Sequence, residues 1–343
     1  MQHEIDLDQY REPVPPVPEG IERPIWSVMI PTHNCAQYLR ETLASVLSQD
    51  PGPDLMQIEV IDDCSIKDDP EKIVRELGGD RVVFYQQPQN VGHTKNFQTC
   101  LERSRGKLIH LLHGDDCVRD GFYKKMQKPF ETNSEIGAAF CRSIIMDDCG
   151  HWQSICSLEQ PESGVLSNWL ERLVENQRIC TPSIIVRRNV YEKLRGFDHR
   201  LSWTEDWEMW TRIAANFPVW YEVEPLALYR VHSSSNTGRY KRTGENIQDV
   251  RRNIEIIQSY LPESTAHKIA KKAREHWAFI ALITASEMLT MGDISGAMIQ
   301  IREGLKCSQS FSVIRFSVNL LLKGIIKRIW SEIRGGMSFK LVK

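Results

Sequence analysis

The chain has 343 residues, 41% hydrophobic and 26% charged, which fits an ordinary globular protein with one large domain and an appendage, or two domains. A formal net charge of -2 excludes a global attraction for nucleic acid, so any charged partner is met by a local patch. Nine scattered cysteines with no CxxC pair exclude a disulfide framework or a zinc ribbon and point to a reducing compartment; Cys141, Cys149, His151 and Cys156 lie close together but at no known zinc spacing.

Residues 1 to 24 read as a flexible or surface-draped arm, acidic and proline-rich and unlike a signal peptide. A buried-type strand follows, "WSVMI" (26 to 30), then a turn in which Asn34 is placed to cap a helix with Leu39, Leu43, Val46 and Leu47 on one face. "QIEVI" (57 to 61) is a second strand and ends in Asp62-Asp63. A helix over 70 to 77 is closed by Gly78-Gly79. "RVVFY" (81 to 85) is a third strand, followed by a polar loop and a helix from about Lys95 to Arg103. The fourth strand, "KLIHLL" (107 to 112), stops at His113-Gly114-Asp115-Asp116. Continuous apolar strands alternating with helices predict an α/β fold with a mainly parallel central sheet, whose ligands bind beyond the carboxyl ends of the strands. Thr32 and His33, Asp62 and Asp63, and Asp115 and Asp116 all fall at such ends. No GxGxxG dinucleotide fingerprint is present.

From about 135 to 232 the pattern is mixed, with strands over 137 to 146, 181 to 186 and 218 to 232. A helix from Glu205 to Asn216 carries Trp207, Trp210, Ala214 and Phe217 on a core face. After Arg239 the pattern is helical, with a hairpin over 276 to 306 turning at Gly292-Asp293. Residues 311 to 334 place Ile314, Val318, Leu321, Leu322, Ile325, Ile329 and Ile333 at helical spacing. Arg315, Lys323, Lys327, Arg328 and Arg334 accompany a single acid, Glu332. Such a basic amphipathic helix lies in an anionic membrane interface, or packs on its own domain or a dimer partner. No run of about 18 uncharged apolar residues occurs, so no spanning helix is expected.

Three acidic doublets stand out: Asp62-Asp63, Asp115-Asp116 and Glu205-Asp206. Adjacent carboxylates suit a hard divalent cation, Mn2+ or Mg2+, whose remaining positions are filled by a ligand's phosphates, which points to a nucleoside diphosphate. Glu205-Asp206 opens a helix, where the dipole favours the ionised form, so Asp206 is expected to accept protons at neutral pH.

In order and spacing, "SVMIPTHN", "EVIDDCS", "NVGHTKNFQTCLERSRGKLIHLLHGDD", "GFDHRLSWTEDWEMWTRIA" and "LYRVHSSS" resemble the successive motifs of family 2 inverting glycosyltransferases of the GT-A fold, over about residues 25 to 236. The resemblance implies an arm (1 to 24), a GT-A domain (25 to 240) and a helical C-terminal region (241 to 343) with a basic amphipathic helix at 311 to 334. It implies that Pro31 and His33 line the base and ribose pocket, that Asp63 hydrogen-bonds the base and that Lys95 lies near the nucleotide. Asp115 and Asp116 would serve ribose, diphosphate and metal, with His232 and Arg230 approaching the diphosphate or metal. Asp206 would be the catalytic base, supported by Glu205, and Trp203 would touch the acceptor. His113, on the acceptor or diphosphate side, stands where an aspartate often opens the metal motif; His93 is a further candidate.

The implied reaction is one in-line displacement, with inversion, moving a sugar from a nucleotide-diphosphate donor, a UDP-sugar first, to a hydroxyl of a glycan or lipid-linked acceptor in polysaccharide biosynthesis. The implied location is the cytoplasm or the inner face of the plasma membrane. Two other readings stay open. A sugar nucleotidyltransferase would carry a glycine-rich basic phosphate loop, which "PTHNCAQYL" lacks. A non-catalytic nucleotide-sugar-binding partner of the same fold is opposed by the intact Asp115, Asp116 and Asp206.

Overall fold

A computed structural model describes residues 7–232 and 236–322. The chain divides into two compact units. The first runs to Leu173 and again from Gln177 to His232; the second takes 174–176 and the chain after residue 232.

The first unit is built on one ten-stranded sheet. Every residue of β1 (Trp26–Thr32) and β2 (Met56–Asp62) is buried. Successive side chains of β1 enter opposite layers: Met29 joins one apolar cluster, while Val28 and Ile30 join the other. A strand covered on both faces is mostly apolar, and the polar residues it does bury are paired: Ser27 of β1 donates to Gln57 of β2 at 2.6 Å, and Glu59 meets Arg103. α1 (Ala36–Leu47) and α2 (Pro70–Gly78) follow these strands. Then come β3 (Val83–Gln86), α3 (His93–Arg103), β4 (Leu108–Leu111), β5 (Cys117–Val118) and α4 (Phe122–Thr132). The second half of the unit adds β6 (Ala138–Met146), β7 (Trp152–Ile155), β8 (Gly164–Val165), α5 (Trp169–Glu175), β9 (Ile184–Arg187), α6 (Arg188–Leu194), α7 (Glu205–Asn216) and β10 (Val219–Arg230).

The strand order is β3-β2-β1-β4-β9-β6-β10-β5, with β7 on β6 and β8 on β10. β3, β2, β1 and β4 are parallel; β9 is inserted antiparallel between β4 and β6, and β6 and β10 are again parallel. The register sets Thr32 beside Asp62, and Met29 beside Leu111, so the segments after β1, β2 and β4 leave the sheet at one end. α7 buries Trp207 and Trp210, with Ala214 and Phe217 packed at the margin of the same cluster. Within the arm expected over 1 to 24, Val14 enters the core, and the buried Arg11 guanidinium meets Asp198 and, at 3.1 Å, Glu208 of α7.

One local expectation is corrected. Asn34 does not cap α1; the helix begins after Cys35, and the Ala36 N–H is taken by Asp68 Oδ2 at 2.8 Å. Asn34 has a left-handed backbone (φ 51°), and its carbonyl oxygen accepts from the Ile66 and Lys67 amides at 3.0 Å each. It thus ties the loop after β2 to the loop after β1.

The second unit is helical: α8 (Asn236–Thr243), α9 (Glu245–Ile257), α10 (Glu263–Met291), α11 (Ile294–Cys307) and a helix from 311 described as far as 322. α10 and α11 form a hairpin around Gly292, with the Asp293 carboxylate capping the Gly296 N–H at 2.9 Å. The helix from 311 buries Val313, Ser317 and Leu320 and leaves Phe311, Ile314, Val318 and Leu322 exposed. Three members of the apolar stripe read from sequence therefore face outward. The inward face was masked because it contains a serine, which satisfies itself by bonding to the Val313 carbonyl at 2.9 Å. The remainder of the basic amphipathic segment, beyond 322, lies outside the described residues. No helix among the described residues is long and apolar enough to cross a membrane.

Candidate active site

The segment after β4 is locked to β1 before it reaches its acids. The Gly114 amide bonds to Pro31 O at 3.0 Å, and its carbonyl accepts from Thr42 at 3.1 Å. A Cβ at Gly114 would lie 2.9 Å from Thr32 Oγ1, so only glycine allows this approach. The acids beyond it turn apart. Asp115 Oδ2 lies 2.9 Å from His232 Nε2, while Asp116 Oδ1 accepts the Arg230 backbone N–H at 2.8 Å. Arg230 also donates to the Asp115 carbonyl (2.8 Å) and to Glu41 (2.7 Å), and its guanidinium lies over Tyr38, whose ring also meets His232 at 4.8 Å. His113 Nδ1 is 3.6 Å from Asp116 Oδ2, and its ring stacks on Phe97.

Phe97 leads to the third doublet. It meets His93 edge-on, and His93 Nε2 lies 3.1 Å from Glu205 Oε1. Beside Glu205, Asp206 Oδ2 accepts from Gln177 (2.8 Å) and Thr181 (3.0 Å), and its Oδ1 accepts from the Trp207 amide (2.6 Å). Asp63 is joined to the same group through the loop before α3: its two oxygens accept from the Val91 and Gly92 amides at 2.7 and 3.0 Å. Asp62 is different. Ser65 and Gln86 occupy its carboxylate, which makes it a turn-holding residue.

Burial and like charge divide these acids electrostatically. Burial pushes both members of the Asp115-Asp116 pair up, but the His232 hydrogen bond and the His113 charge bring Asp115 below the usual range. Asp116 is driven well above it by burial and by Asp115. Two close carboxylates cannot both ionise without a counter-charge. Burial also raises Glu205, but His93 outweighs it and leaves this carboxyl below its ordinary value. Asp206, by burial and then the charge of Glu205, is pushed up to about 7. Lost hydration here outweighs the helix dipole, which by itself would lower this carboxyl.

Within this cluster, three buried atoms have no hydrogen-bond partner among the described residues: His113 Nε2, Asp116 Oδ2 and Glu205 Oε2. His113, Asp115 and Asp116 also offer ligand atoms that all lie within 4.8 Å of one another. Orphaned buried polar atoms in an acid-and-imidazole cluster are what a site completed by a cation and a polar ligand shows in its protein half.

Residues 27–195 match the profile of glycosyl transferase family 2. The chain belongs to that family. Relatives of this glycosyltransferase include an uncharacterised glycosyltransferase of Methanocaldococcus jannaschii, 26% identical over 63% of this chain and 74% of the relative. An uncharacterised protein of Mycobacterium tuberculosis is 28% identical over 78% of this chain and 86% of its own length. Among solved structures, S. aureus TarS (residues 1–349) aligns with TM-score 0.59 at 16% identity, covering 82% of this chain and 80% of that one. The mannosyltransferase PcManGT of Pyrobaculum calidifontis, solved with GDP-Man and Mn2+, aligns with TM-score 0.55 at 15% identity over 97% and 88%. The fold of the glycosyltransferase is therefore GT-A, with a helical C-terminal part.

The structure brings Pro31, His33 and Asp63 together at the ends of β1 and β2, with His33 Nδ1 2.9 Å from Asp63 O. Lys95 is exposed on the first turn of α3, and Trp203 is half-buried in the turn before α7. Sequence reading of the glycosyltransferase missed Gln177 and Thr181, which hold Asp206, and Glu41 and Tyr38, which hold Arg230. None of these four belongs to a motif, and each meets its partner only through tertiary folding.

Proposed function

We propose that this glycosyltransferase is metal-dependent and inverting, taking a nucleotide-diphosphate sugar, a UDP-sugar first, and transferring the sugar to a hydroxyl of a glycan or lipid-linked acceptor. The observation that carries the reading is the contact chain Asp116–His113–Phe97–His93–Glu205–Asp206, which links a cation-type cluster to a carboxylate buffered at about 7. Pro31 and His33 form the wall of the base pocket. Asp63, fixed by the Val91 and Gly92 amides, turns its remaining lone pairs to the base, and Lys95 stands near the phosphates. Asp115 and Asp116 would hold a divalent cation, Mn2+ or Mg2+, which when bound supplies charge stabilisation for the departing diphosphate. Arg230 and His232 position that pair from behind. Asp206 removes the proton from the acceptor hydroxyl, and Thr181 and Gln177 aim it. Glu205 accepts from the donor sugar or the acceptor through its unpartnered oxygen, beside Trp203.

A donor screen tests this reading. Each nucleotide sugar is incubated with Mn2+ or Mg2+, and thermal protection and slow donor hydrolysis are followed. Protection by one nucleotide class, dependent on metal, is expected; the reading falls if no nucleotide protects the protein with metal present.

The exposed stripe of Phe311, Ile314, Val318 and Leu322, with Arg315 beside it, supports peripheral docking of the helical unit on an anionic membrane surface, where a lipid-linked acceptor is met.

A further inference from the structure

The acid pair at the proposed cation site has an imidazole as its third neighbour, and imidazole changes which ions such a site accepts. His113 Nδ1 is 3.6 Å from Asp116 Oδ2, beyond good hydrogen-bond distance. Two ligands each about 2.1 Å from a shared cation stand about 3.0 Å apart at a right angle and about 3.4 Å at a tetrahedral one. The observed spacing is thus close to that of two atoms awaiting one ion. Both side chains are fixed for the purpose. Asp116 Oδ1 is committed to the Arg230 amide at 2.8 Å, which leaves Oδ2 buried and without a hydrogen bond among the described residues. The His113 ring lies on Phe97, with centroids 5.2 Å apart and planes 11° apart, so it is held in one orientation. His232 plays a different part, since its Nε2 is occupied with Asp115 Oδ2 at 2.9 Å and orients that carboxylate, as outer partners of metal ligands do.

We infer that His113 is a nitrogen ligand to the divalent cation, completing a His113–Asp115–Asp116 set, and that the site therefore selects Mn2+ over Mg2+. Imidazole binds transition ions well, whereas Mg2+ prefers oxygen donors in a near-ideal octahedron. The inference rests on the metal-dependent reading above and assigns the residue that decides the metal.

The test uses the full chain with MnCl2 or MgCl2, alone and with UDP. Calorimetry of the wild type is expected to give Mn2+ binding about tenfold or more tighter than Mg2+. Pulsed EPR of the Mn2+ complex is expected to show 14N modulation from a coordinated imidazole. His113→Asp should still bind Mn2+, lose the nitrogen signal and bring the two affinities to within a few-fold, while His232→Gln should keep the signal. Mn2+ bound with no 14N coupling in the wild type, or a signal lost only in His232→Gln, overturns the assignment of His113 and leaves the proposed reaction standing. Absence of any Mn2+ or Mg2+ binding, with and without UDP, overturns the metal-dependent reading itself.

Discussion

Asp206→Asn separates the electrostatic claim about the base from its role in turnover. In the folded state burial and Glu205 raise this carboxyl from 3.8 to about 7. A carboxyl so raised keeps its proton in the folded chain at pH values where the unfolded chain has released it. The stability this lends is complete below about 3.8 and is lost as pH climbs through about 7. At about 1.36 kcal/mol per unit, the full shift corresponds to about 4 kcal/mol, of which about 2.5 kcal/mol disappears between pH 5 and pH 8. Residual solvent around the half-buried side chain trims this to about 2 kcal/mol. The asparagine variant has no proton to lose, so its stability relative to wild type should improve by that amount from pH 5 to pH 8. For a unit of this size the change corresponds to about 4–8 °C in relative Tm. At pH 5 alone the variant should be slightly weaker, because the Trp207 amide, 2.6 Å from Oδ1, would face either an amide nitrogen or the only acceptor left to three donors. The assay is a pair of thermal melts in chelator at each pH, with sugar transfer measured alongside and expected to fall by about 10²–10⁴ in kcat. An unchanged difference in Tm at pH 5 and pH 8 would refute the raised pKa and the argument built on it.

Four further outcomes follow from named contacts. The log of kcat/KM should rise with unit slope up to about pH 7 and then level, since Asp206 works only when ionised; a flat profile from pH 5.5 to 8 places the base elsewhere. Gly106→Ala would set a Cβ 2.5 Å from the backbone of Trp26 and Ser27, costing about 1–3 kcal/mol in a urea melt; wild-type stability would contradict the register of β1 against β4. Arg230→Met should cost about 1–3 kcal/mol by stranding the Asp115 carbonyl, while the exposed Glu41 turns to water, and should weaken Mn2+ binding in calorimetry; unchanged affinity would show that Arg230 does not position the acid pair. Val318→Asp should abolish sedimentation with phosphatidylglycerol-containing vesicles and leave Tm unchanged, because Val318 is exposed; binding that survives removes this helix from the membrane proposal.

The parallel half of the sheet was legible because its physics is local: buried runs such as Trp26 to Ile30 separated by amphipathic helices admit few arrangements. The antiparallel insertion of β9 between β4 and β6 was not, since nothing in "IIVR" encodes its neighbours. The Asn34 cap failed for a similar reason. Its replacement, Asp68, is more than thirty residues away in sequence, and only the folded loop brings it to Ala36. The raised proton affinity of Asp206 was not legible either, because sequence reveals a helix start, which lowers a carboxyl, but not burial, which raises it more.

The three acidic doublets show what sequence adjacency conceals about a site. Each reads as one unit, yet the structure divides every pair. Asp62 is consumed by Ser65 and Gln86, while Asp63 holds the Val91–Gly92 amides. Asp115 turns to His232, and Asp116 to the Arg230 amide. Glu205 turns to His93, and Asp206 to Gln177, Thr181 and Trp207. Neighbouring carboxylates repel, so each finds its own donors, and division is the low-energy outcome. What distinguishes the functional members is then the capacity left after those donors are counted. Asp116 and Glu205 each keep a buried oxygen without a partner among the described residues, and Asp206 keeps a proton affinity matched to neutral pH. Asp62 keeps neither. Mutating Asp62 should therefore disturb the fold of the loop after β2, while under the proposed reading mutating Asp116 or Asp206 should cut sugar transfer and leave that loop in place.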